Sequence, residues 1–278
     1  RAFNIIYKRM IVMKNVVKQF IFALCITAAA LFISAPMMAE AAPLKLKVAT
    51  NAEFEPYEFI KDGKFVGFDI DLMAQIAKKI GAEVTYQNME FDGVVGAVLS
   101  GTCDLAASGL TITPKRAETV AFSVPYINAA QFLIVRTDEK SIVGTTKAAL
   151  DKQLEGKKIG VVTGFTGQKY VEGDASLKYP KIKNAKSVVF DNVSLAVAAL
   201  INKSIDVIVM DDVVAQKVSS VAANKKAIKT IEVPLTVEKY AIAINKKNTE
   251  LKNKVDKALK ELIADGTVKK LLAKWEIR

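Results

Sequence analysis

The chain has 278 residues, 51% of them hydrophobic, and carries a formal charge of +11 with no histidine at all. Without histidine there is no Ser-His-Asp or Cys-His nucleophile pair and no His-containing metal site, and two isolated cysteines, Cys25 and Cys103, cannot assemble a thiolate site. The positive excess is lysine spread along helical stretches rather than clustered with aromatics, which reads as solvated faces and not as a nucleic-acid surface.

Residues 1–42 read as an export leader. Lys8, Arg9, Lys14 and Lys18 form a basic n-region, residues 20–33 an apolar core too short to span a bilayer, and Ala39-Glu40-Ala41 an A-x-A cleavage site. Met10 or Met13 reads as the initiator. Leu24, not a small residue, precedes Cys25, which argues against a lipid anchor. The expected location is periplasmic or otherwise extracytoplasmic. Without residues 1–42, which hold five bases and one acid, the balance is +7. The remaining chain suits one large or two modest domains, and with Cys103 alone it can form no internal disulfide.

Short apolar strands then alternate with helices. Strands are expected at residues 44–50, 83–88 and 104–108. Helices fall at 68–80, where Leu72, Ile76 and Ile80 share a face, and at 93–99. This β-α-β-α-β rhythm implies a mostly parallel sheet flanked by helices. After an extended run at 132–136 a second unit follows: strands 158–163, 187–190 and 206–210, with helices starting at 167 and spanning 193–203 and 213–222. Another extended run at 240–244 precedes helices 250–264 and 267–274. One unit nested in the other, with crossovers near 128–131 and 236–240, predicts a two-lobed α/β protein with a cleft and a hinge. One lobe would comprise residues 43–130 and 237–278, the other residues 131–236.

In open α/β sheets ligands sit beyond the carboxyl ends of the strands. There Thr113 reads as an N-cap, Pro114 as the first helical residue and Arg116 as a first-turn cation beside free N–H groups, a site for a small carboxylate. The alternative for Arg116 is a solvated surface residue. Asp211, after the strand at 206–210, suits an α-ammonium together with the Gly109 carbonyl and the hydroxyl of Thr111 or Ser108; it reads equally well as an N-cap before Val213. Phe54 and Phe91 read as side-chain walls or as core. Gly164-Phe165-Thr166-Gly167 opens a helix and places Thr166 near the carboxylate, although a plain turn needs glycine as well. Together these groups sum to a receptor for a zwitterion. No metal site and no cofactor motif is seen.

The segments at 50–59, 66–72 and 104–116, with Phe122-Ser123, Pro125-Tyr126 and 206–211, resemble the polar amino-acid-binding proteins of bacterial ABC importers, the solute-binding protein family 3. The resemblance implies a type II periplasmic-binding fold with a two-strand hinge, transport rather than catalysis, a permease partner and a monomer. It places the carboxylate clamp on Arg116, the ammonium partner on Asp211, the aromatic walls on Phe54 and Phe91, and a second-lobe hydroxyl on Thr166. For the side chain, Asn51 and Glu53 are the candidates. Glu53 beside Phe54 could reach a basic head group, or be an exposed loop acid. The expected order is arginine or lysine, then histidine or glutamine. Asp69 and Asp71 are expected to cap the helix they open. The rival functions are a dehydratase-like enzyme using Glu172 or Asp174, and a sensory ligand-binding domain.

Overall fold

The computed structural model describes residues 10, 12–14 and 43–277; the leader read in residues 1–42 lies almost entirely outside them. Residues from Pro43 onward form one unit built on two five-stranded sheets. In the first sheet β1 (Leu44–Thr50) lies between β5 (Ala82–Asn88) and β6 (Leu105–Ala106), parallel to both. Beyond β6, β15 (Ala243–Ile244) runs antiparallel to it, and β7 (Ala121–Phe122) closes the edge. The second sheet repeats this plan. β10 (Lys158–Val162) is parallel to β11 (Lys186–Phe190) and β12 (Val207–Asp211), while β9 (Gln131–Arg136) runs antiparallel to β12 and to β13 (Ile228–Ile231).

The chain crosses between the sheets twice, at β8 (Ile127–Ala129) and β14 (Glu238–Tyr240), which pair antiparallel as a two-stranded ribbon. Each crossing strand leads straight into the antiparallel strand of the sheet it enters, β9 or β15. A three-stranded meander, β2 (Glu53–Phe54), β3 (Glu58–Lys61) and β4 (Lys64–Val66), sets Phe59 against Trp275 and Phe65 against Tyr86 of β5.

Nine α-helices are described after residue 42: α1 (Phe68–Ile80), α2 (Phe91–Ser100), α3 (Pro114–Thr119), α4 (Lys147–Gln153), α5 (Thr166–Glu172), α6 (Val193–Ile201), α7 (Asp212–Ser220), α8 (Thr249–Ala264) and α9 (Thr267–Lys274). In α1 the 3.6-residue stripe is obeyed: Leu72, Met73 and Ile76 are buried, Lys78 and Lys79 sit in the last turn, and Gly81 ends the helix in the left-handed conformation. Among the described residues no helix is long and apolar enough to cross a membrane.

Several expectations are corrected. The strand expected over 104–108 is only Leu105–Ala106, because Asp104 turns its carboxylate back to the Lys47 N–H and Ser108 and Gly109 leave the ladder for buried side-chain partners. Helix α6 stops at Ile201, two residues early, where Lys203 takes a positive φ. The β2–β4 meander, β7, α4 and β13 have no counterpart in the sequence reading. Asp69 does not cap its helix. Gly67 holds that position with no side-chain bond, while the Asp69 carboxylate accepts the Gly109 N–H and the Tyr126 O–H, both at 2.8 Å. Asp69 is fully buried, and desolvation lifts its pKa to about 6 despite those two donors.

Candidate functional site

Thr113 caps α3 as its sequence suggests: its Oγ1 accepts the Arg116 N–H at 3.2 Å, and Pro114 takes the first helical position. This cap sets the direction of the Arg116 side chain. Nη1 donates to the Thr111 carbonyl at 2.8 Å and Nη2 to the Gly164 carbonyl at 3.1 Å, so one guanidinium touches backbone from both halves of the molecule. It also stands 5.2 Å from the centre of the Phe91 ring. Desolvation pulls its pKa down to about 10, with Glu238 and Asp211 pulling the other way, so it stays charged at neutral pH. Its hydrogen bonds run to carbonyls, not carboxylates, which leaves its charge available to an anion.

Asp211 ends β12 and stands at the N-cap position of α7, yet its side chain caps nothing. The carboxylate instead accepts the Tyr240 O–H, and the residue is 4% exposed. Burial, reinforced by Glu238, raises its pKa, so a cation placed beside it would be strongly favoured. Arg116 and Asp211 line one cavity together with Phe54, Phe91, Gly109, Thr111, Phe165 and Thr166. The space open at its centre is about 10 Å³, room for about one water.

Seven of the ten residues singled out in the sequence therefore line one cavity. Asn51, Glu53 and Ser108 do not. Asn51 is buried, its Nδ2 donating to the Met89 carbonyl and its backbone N–H to Ser108 Oγ. Ser108 Oγ in turn donates to Glu58, so these two residues set the loop behind the cavity. Glu53 is an exposed strand residue opposite Phe59, outside the cavity lining. Glu172 and Asp174 lie elsewhere too: Glu172 accepts from Gln168 and Ser187, and Asp174 caps a short turn of 3₁₀ helix. Among the described residues no group of three or more acids and cysteines could hold a metal ion.

Phe165 is a wall that the sequence reading left inside its glycine-flanked segment. Its ring meets Phe91 at 4.6 Å and Phe54 at 5.3 Å, edge to face in both cases. The site also leans on Gln131, Glu238 and Tyr240. No local pattern marks them, because they bond to lining residues only by way of the ribbon and the strand it feeds.

A family profile described as bacterial extracellular solute-binding proteins, family 3, matches residues 46–277. The chain belongs to this family. Members of solute-binding protein family 3 serve transport rather than catalysis, and the two-sheet architecture here is their type II periplasmic-binding fold. The chain is 32% identical over 235 residues to a probable histidine-binding protein of Campylobacter jejuni, covering 84% of this chain and 86% of that one. It is 31% identical over 237 residues to ABC transporter arginine-binding protein 1 of Escherichia coli, covering 83% and 90%. Among solved structures it resembles an ancestral arginine-binding protein bound to arginine, with a TM-score of 0.75 and 37% identity over 84% of this chain and 99% of that one.

Proposed function

We propose that this family 3 protein is the extracytoplasmic binding component of an ABC importer, that it captures a free basic L-amino acid between its lobes, and that it delivers it to a membrane permease. The observation that carries this reading is the placement of Arg116 and Asp211 on one small buried cavity. A guanidinium and a carboxylate so placed match the α-carboxylate and α-ammonium of a zwitterion, and each would be costly to bury without a partner.

Two features support a basic side chain. Three aromatic rings, Phe54, Phe91 and Phe165, wall the cavity, and aromatic faces attract guanidinium and ammonium groups. Glu90, Asp92 and Asp191 line a wider opening that shares Phe91 with the site, giving an acidic mouth. The arginine- and histidine-binding names of the relatives point the same way. Residues 43–130 with 237–278, and residues 131–236, act as the closing lobes, with β8 and β14 as the hinge. The protein works as a monomer, exported by the leader in residues 1–42.

The test is calorimetric titration of unfolded, ligand-stripped and refolded protein with the amino acids one at a time. Arginine, lysine or histidine is expected to bind at micromolar Kd or tighter, about −8 kcal/mol. Binding restricted to glutamine, glutamate or aliphatic residues overturns the basic assignment. Binding of no amino acid overturns the function.

A further inference from the structure

The cavity is backed by a charge that does not line it. Glu238 lies on β14, the second strand of the ribbon, and is 4% exposed. Its Oε2 accepts the hydroxyl of Thr111 from the first half at 2.7 Å and the hydroxyl of Thr166 from the second at 2.8 Å. Its Oε1 accepts the hydroxyl of Thr236 at 2.8 Å. One oxygen of a hinge-strand carboxylate thus joins two threonines that line the cavity from opposite sides.

A hydroxyl has one O–H to give and two lone pairs. Thr111 and Thr166 have both given theirs to Glu238, and a carboxylate can only accept. Thr166 also accepts Gln131 Nε2 at 3.0 Å, which occupies one of its lone pairs. Toward the cavity both hydroxyls are therefore restricted to accepting. That polarity suits an ammonium and opposes a carboxylate. It also revises the role read for Thr166 in the sequence: its hydroxyl has no proton left for an α-carboxylate. Tyr240, two residues along the same strand and so on the same face, donates to Asp211. The hinge strand hence reaches both the hydroxyl pair and the acid of the same wall.

We infer that Glu238 is a positioning residue for recognition of the α-amino group: it holds Thr111 and Thr166 as hydrogen-bond acceptors and does so only when the two lobes meet at the hinge. The inference rests on the proposed amino-acid function and adds to it the residue that sets the polarity of the ammonium wall. In Glu238→Gln the amide NH2, set where Oε2 stands, donates to both threonines, because one oxygen serves both, and both hydroxyls must then turn their protons into the cavity.

The experiment compares L-arginine with 5-guanidinopentanoate, which lacks only the α-amino group, by calorimetry on wild type and E238Q, with thermal melts of each. L-Arginine is expected to bind E238Q about 10- to 100-fold more weakly than wild type, as for loss of a charge-assisted bond. 5-Guanidinopentanoate is expected to change less than about threefold, so the ratio between the two ligands collapses. A purely structural role would weaken both ligands together and leave the ratio as in wild type; that result overturns the inference. Should E238Q not fold, Glu238→Asp draws the carboxylate back from the two threonines it joins at 2.7 and 2.8 Å without altering the cavity lining, and the ratio is expected to narrow at least about threefold. An unchanged ratio there is equally fatal. Should the wild type take lysine in place of arginine, lysine and 6-aminohexanoate replace the pair; failure of the wild type to bind arginine, lysine or histidine overturns the basic-amino-acid reading itself, and is distinguished by appearing before any variant is made.

Discussion

Replacing Arg116 by alanine isolates the anion half of the site. The guanidinium stands on two carbonyls, those of Thr111 and Gly164, and over the Phe91 ring, so its side chain is held in place before any ligand arrives. A bound carboxylate deprived of it would lose its charged donor in a cavity walled by Phe54, Phe91 and Phe165. Breaking a buried charge pair by removing one partner costs about 3–5 kcal/mol, which at about 1.4 kcal/mol per tenfold is a rise in Kd of roughly 150- to 4,000-fold. Arg116→Lys keeps the charge but loses the planar fork; the expected loss is about 10- to 100-fold. Titration calorimetry with L-arginine at pH 7.5 measures both. Ligand-free Tm should shift by only a few degrees, since Arg116 belongs to a six-residue, largely exposed helix. A Kd for Arg116→Ala within about threefold of wild type would refute the assignment of Arg116 as the carboxylate clamp.

Glu53→Gln is expected to leave every amino-acid affinity within about threefold, because Glu53 is exposed and outside the cavity lining; a change of selectivity by calorimetry would restore it as a side-chain contact. Gly109→Ala places a Cβ 2.7 Å from the Phe54 ring at a backbone φ of +48°, so it should abolish measurable binding and lower stability by about 1–3 kcal/mol; unchanged titrations would show that the ring moves freely aside. Asp69 has a folded-state pKa raised to about 6 from 3.8. The folded state then binds more protons than the unfolded state between those values, so this residue costs nothing below about pH 3.8 and most above pH 6. Asp69→Asn should therefore gain stability relative to wild type as pH rises from 4.5 to 7.5, by about 2 kcal/mol at about 1.4 kcal/mol per unit over the stretch from pH 4.5 to 6. Denaturant melts at the two pH values that show a constant difference would remove Asp69 as a titrating group.

Much of the fold was legible because its signals are local. The stripe of Leu72, Met73 and Ile76 gives α1 its buried face, the Thr113-Pro114 pair starts α3, and the apolar run at 158–162 is a central strand whose neighbours cover it on both sides. The meander β2–β4 was not legible, since strands of two to four residues leave too little alternation to count. Helix α4 and strand β13 failed for the same reason of length and weak patterning. At the site, residues beside strand ends could be found one by one. Phe165 was hidden by its own glycines, and Glu238 by its distance of more than seventy residues from Thr166.

The sequence by itself determined the alternation of strands and helices, the absence of histidine chemistry, and the pair of opposite charges at strand ends, because each depends on residue type and spacing of a few positions. Only the tertiary structure decided which of those residues share a cavity. It set Asn51 and Ser108 behind the wall, left Glu53 outside it, and brought a hinge carboxylate between two threonines. Hydrogen bonds between residues dozens of positions apart are determined by how the two sheets meet, and no local pattern encodes that meeting.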